Sequence, residues 1–315
     1  MSKFAFIFPG QGSQFIGMGK DLADNFASAK AVFEEVDTAL GQDLSSLIWS
    51  GSEDELKLTA NTQPALMAVS VAAMRALEEA HGIGADRAAF IAGHSLGEYS
   101  ALASAGAISV GDCAKVLRIR GNAMQDAVPA GQGAMAALLG ASPEQAADLC
   151  AAGASEGPCE IANDNAPGQI VISGAKAAVE LAISGAKKAG VKKAVLLPVS
   201  APFHCSLMQP AADAMAEALS GIEIKAPAAP LVANVTATAG SEPEAIRNNL
   251  IEQVTGQVRW TESVQFMAAE GVELTIEAGA GKVLSVMNRR TVRALEGLTM
   301  GSPENIEAVA ERLNA

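Results

Sequence analysis

The stretch "AAFIAGHSLGEYSAL", residues 88–102, decides the fold class. It opens with five apolar residues, places Ser95 between two glycines in the pattern G-x-S-x-G, and continues as a helical pattern. A strand, a tight turn and a helix in this order are typical of the nucleophile elbow of hydrolase-like α/β proteins. The start of the helix also directs N–H groups and a positive dipole end toward the turn. Ser95 is therefore predicted to be a nucleophile; the alternative is an ordinary strand-to-helix turn.

Short apolar runs elsewhere alternate with longer alanine-rich helical patterns. This alternation favours a mainly parallel sheet covered by helices. Strands are predicted over 4–8, 89–92, 195–199, 231–233 and 274–277. Helices are predicted over 27–40, 64–79, 110–127, 210–219, 244–253 and 260–269.

Residues 128–198 have a pattern of their own, β-α-β-β-α-β, with Ser142 as the cap of the first helix. That order is typical of a ferredoxin-like unit. We predict an α/β protein with a core domain over 1–127 and 199–315. The core is predicted to contain a mainly parallel sheet, and residues 128–198 are predicted to be an inserted ferredoxin-like α+β subdomain that ends near Ser200.

Composition excludes several classes of function. The 315-residue chain has a net charge of −13, whereas a general nucleic-acid binder needs clustered Lys and Arg. Its four cysteines and three histidines show no spacing typical of metal ligands, so we expect no metal. The N-terminus lacks the features of a signal peptide, and the longest charge-free run, 194–212, contains three prolines. We expect a cytoplasmic protein with reduced thiols and no membrane association.

A serine nucleophile needs a base, and the sequence offers three histidines for that role. His81 lies in a polar loop that we expect to be exposed, and His94 is adjacent to the serine on the elbow, where side chains diverge. His204 follows a predicted strand at the return from the insert, which makes it the predicted base, with a pKa near the ordinary value of about 6.5. No Asp or Glu is singled out to orient the imidazole, and this gap argues against an ordinary hydrolase triad.

Seven motifs distributed along nearly the whole chain resemble one known family. They are "FPGQGSQFIGMG" (8–19), "TQPALMA" (62–68), "GHSLGEYSAL" (93–102), "RGNAMQ" (120–125), "NDNAPGQIVISG" (163–174), "VSAPFHCSLM" (199–208) and "GAGKVLSVMNRR" (279–290). Together they resemble the malonyl-CoA:acyl carrier protein transacylases and the related acyltransferase domains of fatty-acid and polyketide synthases. This set of motifs is far more specific than G-x-S-x-G alone.

The resemblance implies that the core over 1–127 and 199–315 is hydrolase-like. It also implies a catalytic dyad of Ser95 and His204 that carries the acyl group as a serine ester. It implies that the main-chain carbonyl of Gln253 orients the histidine, which accounts for the missing acid. The backbone N–H groups of Gln11 and Leu96 are implied to form the oxyanion hole.

The resemblance also assigns residues to the acyl group. Arg120 is implied to bind the free carboxylate of malonate in a two-pronged contact, although the sequence alone is equally compatible with a surface arginine. Leu96 and Phe203 are the residue types of malonyl-selective relatives; Phe203 could crowd an α-methyl group or be a core aromatic. Asn165 is a further predicted substrate-binding residue. Ala280 departs from the usual proline of its loop, for which we expect a local effect only.

The implied reaction is a ping-pong transfer of malonyl from malonyl-CoA to holo acyl carrier protein for fatty-acid synthesis, by a monomer without a cofactor. A hydrolase that uses the same elbow and a non-catalytic docking module are the alternatives. An acidic carrier needs a basic face, for which a solvated charged surface is an equally good interpretation. The candidate basic residues are Lys187, Lys188, Lys192, Lys193, Lys282, Arg289 and Arg290.

Overall fold

The computed structural model describes residues 3–199 and 201–314. Its strands are β1 (Phe4–Phe8), β2 (Phe90–Gly93), β3 (Gly133–Leu139), β4 (Cys159–Ala166), β5 (Gln169–Ala175), β6 (Lys193–Leu196), β7 (Leu231–Val232), β8 (Ala239–Gly240), β9 (Val258–Arg259), β10 (Leu274–Ala278) and β11 (Glu296–Met300). Its helices are α1 (Lys20–Asn25), α2 (Ala27–Leu40), α3 (Leu44–Ser50), α4 (Glu53–Lys57), α5 (Thr59–His81), α6 (Gly97–Ser104), α7 (Val110–Asp126), α8 (Pro143–Gly153), α9 (Lys176–Gly185), α10 (Gln209–Ser220), α11 (Pro243–Thr255), α12 (Trp260–Ala269), α13 (Val283–Thr291) and α14 (Pro303–Asn314).

The larger sheet has the strand order β11-β10-β1-β2-β7-β8 and is parallel apart from β8. Every residue of β1 is buried, as expected for a central strand covered on both faces. The carboxyl ends of β1, β2 and β7 therefore meet at one edge of the sheet, where α/β proteins bind ligands. The segments that leave this edge contain Gln11, Ser95 and Asn234.

The second sheet has the strand order β6-β3-β5-β4-β9. Its first four strands follow the predicted β-α-β-β-α-β order with α8 and α9, and Ser142 caps α8 in a reciprocal pair with Gln145. The fifth strand, β9, comes from the later part of the chain and pairs in parallel with β4. Ser200, the predicted end of the insert, lies outside the described residues, so the domain boundaries stay a prediction.

Two long helices, α5 and α7, pack closely beside the larger sheet. A Cβ added to Gly121 on α7 would lie 2.6 Å from Ala60 Cα on α5, so only glycine permits this approach. Helix α5 is buried along most of its length. Their close packing brings Gln63 on α5 next to Arg120 on α7.

The predicted α/β class is confirmed, and several element bounds differ from the predictions. The strand predicted over 195–199 is β6, Lys193–Leu196, in the second sheet. The helix predicted to start at Pro64 begins at Thr59, and Pro64 lies inside it, where the missing N–H removes one i→i−4 hydrogen bond without ending the helix. The strand β11 was not predicted, since "EGLTM" lies at an edge of the sheet and contains Glu and Gly. Within the described ranges, no helix is long and apolar enough to cross a membrane.

Candidate active site

The elbow around Ser95 has the predicted strand-turn-helix form, from β2 to α6. Ser95 has φ 53°, in the left-handed region that non-glycine residues rarely adopt. The flanking glycines leave no room for a side chain. A Cβ on Gly97 would lie 2.2 Å from Phe8 O, and one on Gly93 would lie 1.9 Å from the Gly97 carbonyl carbon. The turn is therefore a tight, strained loop that presents the Ser95 hydroxyl at the edge of the sheet.

The structure places Ser95 beside His204. The Ser95 Oγ to His204 Nε2 distance is 2.7 Å, and His204 Nδ1 lies 2.9 Å from the main-chain oxygen of Gln253. Because a carbonyl oxygen only accepts hydrogen bonds, Nδ1 carries the ring proton and Nε2 accepts from the serine hydroxyl. The carbonyl thus orients the imidazole without a carboxylate, the arrangement that the resemblance implied.

The environment of His204 differs from the one expected. Burial, with the positive charge of Arg120 as a second cause, lowers the pKa of His204 to about 3, far below the expected 6.5. Its backbone also adopts a left-handed conformation, with φ 57°. The imidazole is consequently neutral at physiological pH and ready to accept a proton from Ser95.

Two backbone N–H groups are available near Ser95. The N–H of Ser95 itself donates to Asn234 Oδ1 over 2.7 Å, so it is already engaged. In the described parts of the chain, the N–H groups of Gln11 and Leu96 donate to no protein acceptor. Both residues line the same cleft as Ser95. They are suitably placed to serve as the oxyanion donors that the sequence predicts.

Arg120 reaches the nucleophile from α7. It is 1% exposed, so the alternative of a surface arginine is wrong. Nη1 donates to Gln63 Oε1 over 2.9 Å, and Nη2 donates to Gln253 Oε1 over 2.8 Å. Nη2 also lies 3.3 Å from Ser95 Oγ. Each Nη nitrogen carries two N–H groups. Among the described residues the second N–H of Nη1 has no acceptor, and the second N–H of Nη2 donates to Ser95 Oγ, so both lie where they can turn to a carboxylate joined to that oxygen.

An open cleft with a cavity volume of about 200 Å³ runs between the two sheets. His94 and Asn165 meet in its wall, with 2.7 Å between His94 Nε2 and Asn165 Oδ1. Phe203 packs in the main core, and part of its side chain lines the cleft. Most of the predicted site residues line it, namely Gln11, Ser95, Leu96, Arg120, Asn165, Phe203 and His204.

The sequence-family model of the acyl transferase domain matches residues 5–307 of the chain. The chain belongs to this family. It is similar to the malonyl CoA-acyl carrier protein transacylase of Bacillus subtilis strain 168, with 48% identity over 99% of this chain and 98% of that protein.

Solved structures agree with the family assignment, which confirms the family predicted from the motifs. The acyl-carrier-protein-S-malonyltransferase of Bartonella henselae is 53% identical with a TM-score of 0.97, over 99% of this chain and 100% of that one. A malonyl-transacylase solved in complex with its type II polyketide synthase acyl carrier protein is 42% identical with a TM-score of 0.94, over 99% of this chain and 100% of that one.

Three polar residues of this acyl transferase were not singled out from the sequence. Gln63 holds Arg120, Asn234 accepts the N–H of Ser95, and Glu98 accepts from the side chain of Gln253. Asn234 directly follows the strand predicted over 231–233 and lies two residues after the end of β7, so its position near a carboxyl end was a usable signal. Gln63 lies inside a quoted motif, but only the packing of α5 on α7 shows what it touches.

The remaining predicted residues lie outside the catalytic centre. His81, expected to be exposed, is half-buried and contacts Glu307, with 3.1 Å between His81 Nε2 and Glu307 Oε1. Ala280 is buried in the main core. The candidate basic residues are all exposed: Lys187, Lys188, Lys192 and Lys193 on the second sheet's side, and Lys282, Arg289 and Arg290 at and within α13.

Proposed function

We propose that this acyl transferase moves a malonyl group from malonyl-CoA to the phosphopantetheine thiol of acyl carrier protein through an ester of Ser95. The observation that carries the proposal is the buried guanidinium of Arg120, 3.3 Å from the oxygen of the nucleophile. When an acyl group is attached to that oxygen, it can pair with the fixed positive charge only if it ends in an anion. The relatives named as malonyl transacylases support the same substrate class.

The first half-reaction loads the enzyme. His204 Nε2 takes the proton of Ser95 Oγ while Oγ attacks the carbonyl carbon of the malonyl thioester. The carbonyl oxygen becomes an oxyanion that accepts from the N–H groups of Gln11 and Leu96. When the tetrahedral intermediate collapses, the C–S bond breaks and the proton on His204 passes to the sulfur of the departing CoA.

The second half-reaction unloads it. The thiol of the carrier's phosphopantetheine arm gives its proton to His204, and its sulfur attacks the ester carbonyl. The C–Oγ bond breaks, and Ser95 Oγ recovers the proton from His204. CoA and phosphopantetheine thus enter as substrates, and no cofactor takes part in either step.

Arg120 provides the selectivity. A malonyl carboxylate can accept from the second N–H of Nη1 and from the Nη2 N–H that otherwise donates to Ser95 Oγ, whereas an acetyl group offers the buried guanidinium no counter-charge. The absence of this buried contact costs roughly 2–4 kcal/mol. Arg120 therefore disfavours acetyl loading in addition to favouring malonyl loading. Phe203 lines the cleft beside His204, where its ring restricts branched acyl groups.

The same proposal extends to the cellular setting. The protein acts as a cytoplasmic monomer and supplies extender units for fatty-acid synthesis, with an acidic carrier docking on the exposed basic residues. The exposure of those residues supports this docking. A carrier whose acidic helix meets them would place its phosphopantetheine arm at the cleft mouth.

Labelled malonyl-CoA, given with and without holo acyl carrier protein, tests the proposal. Stable label on the protein that moves to the carrier supports transfer. Release of free malonate without carrier would identify a hydrolase instead. Absence of label on an intact, folded protein would identify a non-catalytic docking module.

A further inference from the structure

Glu98 is a fully buried carboxylate that the transfer mechanism does not use. It directly follows the second glycine of the elbow, in the first turn of α6, and is 0% exposed. Acidic side chains are almost never fully buried unless they are paired, because desolvation of the charge is costly. The partners of Glu98 therefore indicate what it contributes.

Those partners lead to Arg120. Glu98 Oε2 accepts from Gln253 Nε2 over 2.7 Å and from the N–H of Asn234 over 3.2 Å. The other end of the same amide, Gln253 Oε1, accepts from Arg120 Nη2 over 2.8 Å. A single glutamine side chain thus connects the buried carboxylate to the guanidinium.

The carboxylate of Glu98 and the guanidinium of Arg120 together allow only one orientation of the Gln253 amide between them. A carboxylate only accepts and a guanidinium only donates, so the NH₂ group of Gln253 must face Glu98 and its oxygen must face Arg120. The main-chain oxygen of Ser95, 3.0 Å from Gln253 Nε2, favours the same orientation. A flipped amide would put two donors together at Arg120 and two acceptors together at Glu98.

We propose that Glu98 is a positioning residue for acyl selection: through the side-chain amide of Gln253 it holds the Arg120 guanidinium where it meets the acyl carboxylate. This inference rests on the proposed function, because it concerns how malonyl is chosen. The catalytic base is affected much less, since His204 bonds the main-chain oxygen of Gln253 and not its amide. The amide also donates to the main-chain oxygen of Ser95, so the reactivity of the serine is measured separately.

The charges around Glu98 set the conditions of the test. Burial raises the pKa of Glu98 to about 7, and the charged or titratable side chains that act with it are Arg120 on α7 and Tyr99 on α6. At about pH 8 the carboxylate is mostly ionised and accepts only, so the assays belong there.

The test replaces the carboxylate by its isosteric amide, Glu98→Gln, whose NH₂ group can face Gln253 and permit the flip. For Ser95 acylation we expect KM for malonyl-CoA to rise about tenfold with little change in kcat, because Arg120 binds the carboxylate in both ground and transition states. The kcat/KM for acetyl-CoA should change less than about threefold. Glu98→Asp, which keeps an acceptor-only group, should recover part of the malonyl preference.

A matched control is Glu277→Gln. Glu277 is also 0% exposed, but it lies on β10 and accepts from the backbone N–H groups of Leu284 and Ser285. This variant should keep the malonyl-to-acetyl ratio. Equal losses with both thioesters in Glu98→Gln, or an unchanged malonyl KM, would overturn the role of Glu98. If Glu98→Gln does not fold, judged by its thermal melt, the same comparison is made with Glu98→Asp, for which we expect a smaller shift in the same direction.

A second measurement needs no acyl transfer. A neutral serine-reactive sulfonyl fluoride should inactivate wild type and Glu98→Gln at similar rates, and free malonate should protect wild type at about tenfold lower concentration than the variant. Loss of protection in wild type would count against the proposed function. Equal protection in both proteins would count against Glu98 alone.

Discussion

The two ends of the acyl site are built in different ways. At the nucleophile end, the main chain determines most of the geometry. Ser95 and His204 both have left-handed backbone conformations, and a main-chain carbonyl orients the imidazole. At the carboxylate end, Arg120 is held by side chains, the amides of Gln63 and Gln253.

This difference separates reactivity from selectivity. The backbone at the first end is determined by strand β2, helix α6 and the glycines of the elbow, so most side-chain changes leave it intact. The second end depends on the approach of three helices, α5, α7 and α11, and is therefore sensitive to their packing. Mutations should consequently be able to change the choice of acyl group while the serine stays reactive.

The largest effect is expected at the nucleophile. Ser95→Ala should abolish the malonyl adduct and lower transfer by more than about 1000-fold, because no other hydroxyl contacts His204 Nε2 in the described residues. Intact-mass spectrometry after incubation with malonyl-CoA measures the adduct. Ser100→Ala, at a buried serine in helix α6, is the control and should still be acylated. An adduct that survives in Ser95→Ala would mean a different nucleophile.

The next effect separates the two ends. Arg120→Ala should lower kcat/KM for malonyl-CoA by about 30- to 1000-fold, equivalent to roughly 2–4 kcal/mol, while Ser95 still reacts with a neutral sulfonyl fluoride. Arg120→Lys should recover little, since an ammonium group lacks the planar fork.

Arg118→Ala on the same helix provides the control for Arg120. Its guanidinium bonds Asn61 and Gln42 rather than residues of the cleft, so the malonyl-to-acetyl ratio should be preserved. An Arg120→Ala variant with unchanged discrimination would show that the carboxylate is bound elsewhere.

A smaller effect tests the helix packing beneath Arg120. Gly121→Ala introduces a Cβ 2.6 Å from Ala60 Cα and should destabilise the protein by about 1–3 kcal/mol as α5 and α7 move apart. Gly111→Ala on the same helix meets only ordinary contacts, the nearest at 3.5 Å, and should be neutral or stabilising by up to about 1 kcal/mol. Thermal melts compare the two. Similar melting temperatures for both variants would refute the close helix contact.

The smallest change is expected in the pH profile of the nucleophile end. Because burial and Arg120 lower the pKa of His204 to about 3, the rate of Ser95 modification by a neutral probe should stay flat from about pH 5 to pH 8. The same low pKa affects the stability of the fold. Burial of the neutral imidazole costs no proton above the unfolded pKa of about 6.5, and the free energy of unfolding decreases as the pH falls from there toward 3. An inflection near 6.5 in the modification rate that persists in Glu98→Gln would contradict the burial of the base.

Sequence patterns alone predicted the pairing of Ser95 with His204, which are in contact, and the family resemblance supplied the other predicted site residues. Ser95 has a local motif that includes its own strand and helix, and His204 was the best placed of three histidines. The role of Arg120 came from the resemblance, because nothing in its local sequence distinguishes a buried arginine from a surface one. Glu98 and Gln63 acquire meaning only through contacts between helices distant in sequence. The low pKa of His204 likewise depends on burial, which no local pattern encodes.

Strand β9 has a consequence for anyone who would graft a different insert into this scaffold. Its pairs, Asn163 with Val258 and Asp164 with Arg259, join the edge of the second sheet to the segment immediately after α11, the helix that holds Gln253. A transplanted 128–198 unit must therefore reproduce the register of that edge as well as its own fold, since a slip would be transmitted along a few residues to the carbonyl that orients the catalytic base. The pairing of β4 with β9 is thus part of what positions the active site. Recombination boundaries chosen from the domain limits alone would separate the two strands.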